Sequence, residues 1–197
     1  NCMQESLKAG DVVTLPGVNT IADGTAVKTP GKNIFPYIRD NIDEIITVPD
    51  EELVVSFLDV VENHKMIVEN SGLLAVAALR HLDVRNKRIV SILSGGNMDI
   101  ITMSSVVQQG LIFRDRIFTV SVLLPDKPGE LVKVSEVIAA QSGNVIKLEH
   151  NQFISINRSA AVELRITLET FGTDHKNQIV KALEDKGYQP KQVRTNI

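Results

Sequence analysis

Hydrophobic and polar positions alternate along residues 117–124 and then change to a helical period. Phe118, Val120 and Val122 alternate with polar residues, whereas apolar residues from Leu131 onward recur at steps of three and four. A period of two indicates a strand and a period near 3.6 indicates a helix. Between them lies Leu-Pro-Asp-Lys-Pro-Gly-Glu, residues 124–130, whose prolines stop both elements. The free N–H groups at the helix start suit a carboxylate ligand, but an ordinary strand-to-helix joint fits the pattern too.

The rest of the C-terminal half continues this alternation of elements. The pattern predicts further strands at 145–150, 161–170 and weakly at 187–193, with a second helix at 174–186. The order βαββαβ is typical of a ferredoxin-like sandwich, in which two helices cover one face of the sheet. A poorly covered sheet edge often pairs with a second copy of the chain. The open face is predicted to carry Thr119, Ser121, Lys147, Glu149 and Arg165.

The N-terminal 110 residues predict an α/β layer with a mostly parallel sheet. A helix ends at Gly10, and a loop of small and polar residues follows. The later helices are predicted at 35–42, 49–64, 72–81 and 98–109, and the strands at 44–48 and 88–93. The helix at 72–81, capped by Asn70 and Ser71, is almost wholly apolar and is expected to be buried on most faces. The loop after residue 93 begins at a strand carboxyl end, where ligands bind in such sheets.

Composition narrows the class of protein. The chain has 197 residues, 43% of them hydrophobic and 23% charged, which is typical of soluble globular proteins. The single cysteine, Cys2, excludes an internal disulfide and fits the reducing cytoplasm. No apolar run approaches the ~20 residues that cross a bilayer, and a net charge of −3 gives no reason to expect nucleic acid. Because residue 1 is not Met and continues a helical pattern, we expect a chain that begins inside a domain.

Other candidate chemistry is weak. The histidines at 64, 81, 150 and 175 lack the spacing of a metal site. His150 alternates with Ile146 and Leu148 and is therefore interpreted as a core or interface residue. The acidic runs 43–44 and 50–52 are interpreted as solvated turns and helix starts.

Three motifs in register carry a family resemblance. They are Thr-Ile-Ala-Asp-Gly at 20–24, Val-Glu-Asn-Ser-Gly at 68–72 and Ser-Ile-Leu-Ser-Gly-Gly-Asn-Met-Asp at 91–99. Residues 1–110 thereby resemble threonine dehydratases (threonine ammonia-lyases), pyridoxal-phosphate enzymes of the tryptophan-synthase-β fold. Residues 117–193 resemble an ACT domain, a module that senses amino acids. The resemblance implies two domains: 1–112, the C-terminal portion of a fold-type II three-layer α/β catalytic domain, and 113–197, an ACT regulatory domain.

The resemblance also implies roles for individual residues. Ser94 would hydrogen-bond the pyridine nitrogen of the cofactor, and Gly95 and Gly96 would let the ring approach the backbone. Gly24 would line the other side of the cofactor. Glu69 would lie near the ring edge, although it also reads as the N-terminal acid of the following helix.

The ACT resemblance places an amino-acid effector at the turn of residues 125–130. The site would use Asp126, Lys127, Pro128, Gly129 and Glu130, with Asn144 contributed across a dimer interface. The protein would therefore be a homo-oligomer, a dimer or tetramer. No metal is predicted, since Asn1 stands where related serine racemases place an acidic ligand.

One departure from the family limits the activity that we expect. The lysine that forms the Schiff base, the substrate-carboxylate loop and the phosphate loop lie upstream in the family, so this fragment is predicted to hold no catalytic residue and to be inactive alone. Two functions remain open. One is a regulated enzyme that deaminates L-threonine, and L-serine, in isoleucine biosynthesis or threonine catabolism; the other is a non-catalytic amino-acid-binding and dimerisation module.

Overall fold

The structure is a computed structural model that describes residues 1–151 and 162–196. The residues cluster into two compact units, Asn1–Gly110 and Leu111–Ile197, called unit 1 and unit 2 below. Of the helices described, none is long and apolar enough to span a membrane.

Unit 1 is built from helices joined by loops. Asp50, Glu51 and Glu52 open the longest helix, where acidic side chains favour the helix N-terminus. The first helix ends as the sequence predicts, at Gly10 with a φ of 76°. The α-helices are α1 (Cys2–Ala9), α2 (Phe35–Asn41), α3 (Asp50–His64), α4 (Leu74–Ala77) and α5 (Ile100–Phe113), and the boundary between the units falls within α5.

The core of unit 1 forms around α3. Leu53 and Phe57 of α3 are fully buried, as is Leu73 from the segment before α4. Arg80 ties the end of that segment to α3, because its guanidinium donates to Ser56 Oγ at 2.8 Å and to Asp59 Oδ2 at 2.7 Å. Burial and polar contacts together hold residues 70–81 against α3.

The predictions of two strands in unit 1 are wrong. Residues 44–48 and 88–93 are not strands, and every described strand lies in unit 2. The predicted parallel sheet is therefore not present among the described residues. Residues 88–93 keep their apolar pattern, yet Val90 is 91% exposed and Ile92 75% exposed. A strand needs a hydrogen-bonded neighbour, and none of the described residues supplies one here.

The predicted apolar helix at 72–81 is only partly correct. The segment is helical, but two 3₁₀ turns, Asn70–Leu73 and Ala78–His81, flank the single α-helical turn α4. Glu69 occupies the N-cap position, and neither Asn70 nor Ser71 caps the helix as predicted. Within residues 72–81 only Gly72, Leu73 and Ala77 are buried, so one face of the predicted helix packs rather than most of its faces.

Unit 2 has the predicted βαββαβ order. Its sheet has the strand order β2-β3-β1-β4 with all neighbouring strands antiparallel, the topology of a split βαβ sandwich. The predicted start of the third strand at residue 161 lies outside the described residues. The elements are β1 (Ile117–Leu124), α6 (Glu130–Ala140), β2 (Asn144–Asn151), β3 (Val162–Glu169), α7 (Thr173–Asp185) and β4 (Lys191–Val193).

One continuous core joins the sheet to the two helices of unit 2. Alternate residues of the two central strands, such as Val122 and Ile166, are fully buried against Val134 of α6 and Ile179 of α7. Burying an aliphatic side chain of this size contributes about 1.5–3 kcal/mol. The period-two pattern of β1 and β3 therefore predicted the packed face correctly.

The opposite face of the sheet is polar, as the sequence predicts. Thr119 and Thr167 lie opposite one another and share a hydrogen bond of 2.9 Å between their hydroxyls. Ser121 Oγ donates to Glu163 Oε1 at 2.6 Å, and Arg165 Nε lies 3.0 Å from Glu163 Oε2. These contacts lower the pKa of the Glu163 carboxyl, the Ser121 hydrogen bond most of all.

Strand β2 forms one edge of the sheet. A bulge between Val145 and Lys147 interrupts its register, so Ile146 drops out of the alternation. Val145, Ile146 and Leu148 are 39–43% exposed. His150 is also exposed, so the predicted core position is wrong, and the predicted interface position stays a prediction.

Candidate functional site

The segment Thr20–Gly24 is anchored to α3. Asp50, the first residue of that helix, accepts a hydrogen bond from Thr20 Oγ1 at 2.6 Å and another from the Ile21 N–H at 2.9 Å. The acidic run that was interpreted as solvated thus includes two carboxylates with defined partners. Asp50 holds this segment, and Glu52 Oε2 lies 2.8 Å from His81 Nε2. Ala22 is 2% exposed, so the anchored segment is packed as well as hydrogen-bonded.

The second motif lies directly against the first. A Cβ at Gly24 would stand 2.8 Å from Ser71 Oγ and 3.6 Å from Glu69 Oε1. Only glycine allows this close approach without displacing the serine hydroxyl. Gly24 and Glu69, which lie 45 residues apart in the chain, are therefore neighbours.

The third motif closes on the second from another side. The Glu69 N–H donates to the Gly95 carbonyl at 3.2 Å. A Cβ at Gly95 would fall 2.1 Å from Glu69 Cδ, and a Cβ at Gly72 would fall 1.8 Å from the Ser94 carbonyl oxygen. Gly95 also has a φ of 79°, a conformation that favours glycine. The three motifs thus meet through glycine contacts that larger residues would prevent.

The structure brings Gly24, Glu69, Ser94 and Gly95 into one cluster, while Gly96 is less confined. The nearest atom to a Cβ at Gly96 would be the Ile67 carbonyl oxygen at 3.8 Å. Ser94 is exposed at the rim of the cluster. Glu69 precedes the first 3₁₀ turn without capping it, while its carboxylate packs on Gly95. Both interpretations of Glu69 therefore remain open.

A cavity of about 760 Å³ opens beside this cluster, lined in part by Gly24, Glu69 and Asn70. Two buried polar atoms nearby, Asn70 Oδ1 and Ser71 Oγ, have no hydrogen-bond partner among the described residues. Buried polar atoms without partners are uncommon and point to an absent ligand or water. Sequence reasoning took Asn70 and Ser71 as helix caps and did not identify them as site residues.

The residues of the cluster suit a flat heteroaromatic group. Gly24, Glu69 and Asn70 line the cavity, and a hydroxyl such as that of Ser71 or Ser94 can donate to a ring nitrogen or oxygen. The cavity lining contains no Lys or Arg among the described residues, so it offers no side-chain cation for a phosphate. The cluster thus fits the ring of pyridoxal phosphate, and its phosphate would need partners from elsewhere.

The predicted effector residues divide into two places. Asp126 to Gly129 form an exposed turn, in which the Lys127 N–H donates to the Pro125 carbonyl at 2.8 Å and Gly129 has a φ of 90°. Glu130 follows as the half-buried first residue of α6. Asn144 lies at the opposite end of the sheet, because it pairs with Glu169 while Leu124 pairs with Val162. Eight residues of strand separate the two places by roughly 24 Å. Within one copy, Asn144 cannot join the turn.

Asn144 and His175 each make polar contacts with other residues of unit 2. Asn144 Nδ2 donates to Glu169 Oε2 at 3.0 Å. His175 bridges the Phe171 N–H, at 3.1 Å, and the Gln141 carbonyl, at 2.6 Å. In the parts of the chain that are described, no three His, Cys, Asp or Glu side chains cluster as a metal site would require.

Comparison with known proteins finds a family model that matches the N-terminal residues and relatives that match most of the chain. Residues 1–95 match the family model of pyridoxal-phosphate dependent enzymes. The chain is 37% identical over 93% of its length to an L-threonine ammonia-lyase of Geobacter sulfurreducens, covering 46% of that protein. It is 31% identical over 95% of its length to an L-threonine ammonia-lyase of Thermotoga maritima, covering 47% of it. The chain thus spans about half the length of these curated relatives.

A solved structure agrees with these relatives. The processed form of threonine deaminase isoform 2 from Solanum lycopersicum aligns with 55% of this chain and 33% of its own, at 32% identity and a TM-score of 0.51. The predicted resemblance to threonine dehydratases is confirmed. Residues 1–95 match the model of the pyridoxal-phosphate dependent enzyme family, and the chain is similar to the L-threonine ammonia-lyases over about half of their length.

Proposed function

We propose that this chain works as the C-terminal part of a pyridoxal-phosphate dependent ammonia-lyase. The enzyme would convert L-threonine to 2-oxobutanoate and ammonia, and L-serine to pyruvate and ammonia, in the cytoplasm. The observation that carries the proposal is the meeting of three sequence motifs at Gly24, Glu69 and Gly95, beside two unpartnered buried polar atoms. The names of the relatives support the choice of substrate.

The residues of the chain would bind and orient the cofactor ring. Pyridoxal phosphate, when bound, supplies the electron sink for elimination at the substrate. Ser94 would hold the pyridine nitrogen through a neutral hydroxyl, which leaves that nitrogen uncharged, whereas a carboxylate would favour its protonation. Gly24 would let the ring pack against backbone from the cavity, and Glu69 would lie at its edge. The Cβ side of Gly95 is filled by the Glu69 carboxylate, so Gly95 would hold Glu69 in that place.

Activity assays test this proposal directly. We expect the full-length protein to release 2-oxobutanoate from threonine and the 197-residue chain alone to release none. Replacing Ser94 by Ala removes one hydrogen bond worth about 1–2 kcal/mol, so turnover should fall about tenfold. Ser135→Ala, an exposed-helix control in unit 2, should leave it unchanged. Threonine turnover by the 197-residue chain would refute the proposal that this chain is inactive alone. Full activity in Ser94→Ala would show that Ser94 does not contribute to the site.

Unit 2 is proposed to be an ACT-type regulatory domain that binds an amino-acid effector. Its βαββαβ topology and the exposed turn at residues 125–130 support this. The turn leads into α6, whose N-terminal N–H groups favour a carboxylate. The complete core of unit 2 also keeps the alternative open, a module that binds amino acids and dimerises without catalysis.

A second copy would complete the effector site through β2. This strand is an eight-residue sheet edge with exposed apolar side chains, a surface that pairs readily with another strand. If two copies of β2 pair antiparallel about a two-fold axis, Asn144 at the start of one strand lies beside Asn151 at the end of the other. Asn151 and Leu124 share one end of the sheet. The partner subunit's Asn144 would therefore come near the turn at residues 125–130.

Ligand binding and mass measurements test the regulatory proposal separately. Threonine, serine, isoleucine, valine or leucine should raise the thermal unfolding midpoint, and the absence of any shift would count against a working pocket. Asn144→Ala should weaken the effector by about 1–3 kcal/mol, whereas Asn177→Ala on α7 should not. Unchanged affinity in Asn144→Ala would exclude that residue from the site.

Sedimentation should show whether β2 mediates assembly. We expect Leu148→Lys to dissociate the dimer, because it places a charge on the proposed shared edge. Val132→Lys, which alters an exposed apolar residue of α6 rather than of β2, should leave the dimer intact. A dimer that survives Leu148→Lys would place the interface elsewhere.

A further inference from the structure

The segment Thr20–Gly24 is held by side chains that come much later in the chain. Asp50 Oδ1 accepts from Thr20 Oγ1, Asp50 Oδ2 accepts from the Ile21 N–H, and Thr20 Oγ1 accepts in turn from the Ala22 N–H at 3.1 Å. Few apolar residues stabilise this loop, so these bonds set its path.

Asn70 holds the same segment from the other side. Its Nδ2 donates to the Ile21 carbonyl at 3.0 Å, and the Asn70 residue is only 4% exposed. Both backbone polar groups of Ile21 are thus bound by side chains, one from α3 and one from the residue after Glu69. The loop is fixed to the two elements that flank the cavity.

The path of this loop decides where Gly24 lies. Ala22 accepts from the Thr25 N–H and from Thr25 Oγ1, each at 3.0 Å, which closes a 3₁₀ turn around Gly24. Gly24 then faces Ser71 and Glu69 at contact distance. A shift at Ile21 would be carried directly into that contact.

We propose that Asp50 is a positioning residue that preforms the Gly24 wall of the cofactor site. This rests on the proposed function, since it supposes that a cofactor ring occupies the cluster. The carboxylate is needed because both of its oxygens accept hydrogen bonds here. An Asn side chain offers only one accepting oxygen. If that oxygen accepts from the Ile21 N–H, Thr20 Oγ1 must accept from the NH₂ group, and its own hydroxyl proton loses this acceptor. The N-terminus of α3 favours the negative charge at the same position.

The test measures pyridoxal phosphate affinity in the full-length protein by absorbance titration. Asp50→Asn should weaken the affinity about tenfold, the usual minimum for losing a supporting contact around a bound group. At saturating pyridoxal phosphate the turnover number should return to within about twofold, because the substitution is expected to weaken cofactor binding only. A tenfold change in affinity corresponds to about 1.4 kcal/mol. Glu51→Gln is the matched control, because Glu51 shares the first turn of α3 and is exposed.

Thr20 variants keep the test decisive if Asp50→Asn folds poorly. Thr20→Ser retains the hydroxyl and should keep the wild-type affinity, whereas Thr20→Val should weaken it. Hydrogen exchange of the 197-residue chain gives a second readout, with protection lost at the Ile21 and Ala22 amides in Asp50→Asn but not in Glu51→Gln.

The outcomes separate the two proposals. A wild-type protein that binds no pyridoxal phosphate would overturn the proposed function, and this inference with it. Wild-type binding with equal affinities in Asp50→Asn and Glu51→Gln, or in Thr20→Val and Thr20→Ser, would overturn the inference alone.

Discussion

Residues 88–93 of unit 1 and β3 of unit 2 are both rich in apolar residues and were both predicted as strands, but they have opposite surroundings. In β3, Leu164 and Ile166 are fully buried because the strand lies between β1 and β2. In the other segment, Val90 and Ile92 are exposed and no neighbouring strand is present among the described residues. An apolar pattern indicates which face of a segment can be buried, but burial itself depends on neighbours that the pattern does not specify.

The largest expected difference between the two segments is in core truncation. Ile166→Ala should lower the free energy of unfolding of unit 2 by about 4 kcal/mol, because it leaves a cavity in a closed core. Ile92→Ala should change stability by no more than about 0.5 kcal/mol, as for other exposed positions. Urea unfolding of the 197-residue chain measures both. Equal losses of unfolding free energy in the two variants would show that residues 88–93 are buried in solution, contrary to the difference described above.

The glycine contacts show that unit 1 is tightly packed at one place. Gly72→Ala should destabilise unit 1 by about 3 kcal/mol, since the added Cβ would meet the Ser94 carbonyl at 1.8 Å. Gly96→Ala, whose Cβ would find no atom within 3.5 Å, should cost less than about 0.5 kcal/mol. Differential scanning calorimetry compares them. A harmless Gly72→Ala would mean that the second and third motifs do not meet as described.

An ion pair in unit 2 should have an intermediate effect. Asp115, with a φ of 53°, binds Lys176 Nζ at 2.8 Å and Thr173 Oγ1 at 2.8 Å, and both charged side chains are under 20% exposed. Asp115→Ala should cost about 2 kcal/mol, less than for a fully buried pair. Asp174→Ala, an exposed acid in the first turn of α7, is the control. Equal unfolding midpoints for the two variants would contradict this prediction.

The smallest effect concerns the polar face of the sheet and depends on pH. The pKa of Glu163 is lowered in the folded state, so its carboxylate stabilises the fold above its usual pKa of about 4.3. That contribution is lost as the pH falls through the lower folded value. Glu163→Gln should therefore cost about 1 kcal/mol at pH 7 and progressively less below pH ~4. Urea titrations at several pH values, with Glu136→Gln as the exposed control, check this; a difference that grows in acid would refute it.

The sequence predicted unit 2 well because its signals are local and agree with one another. The alternation in β1 and β3 and the helical period of α6 need no knowledge of distant residues, and the predicted topology is confirmed. The strands at 44–48 and 88–93 were wrong because a strand depends on a partner. For the candidate site, the sequence motifs pointed to Gly24, Glu69, Ser94 and Gly95, which the structure brings together. That these residues bind a cofactor stays a prediction.

The sequence analysis did not predict the contact between Asp50 and residues 20–21, for a related reason. An acidic residue at a helix start has a sufficient local explanation, so nothing at position 50 suggested a partner 30 residues earlier. The available signal lay in the loop itself. A segment with few core-forming residues, yet containing a motif, needs an anchor from another element.

The register of β1 has a consequence for how the chain folds during synthesis. β1 pairs with β3 and β4, both of which follow it in the chain, and Leu124 must wait for Val162 to be made. Among the described strands, only β2 and β3 are consecutive and pair with each other. At about 5–20 residues per second, β1 and α6 spend seconds outside the ribosome with their apolar faces open. Nascent unit 2 should therefore depend on chaperones until β3 emerges, and slower translation between residues 124 and 162 should lower the yield of folded protein.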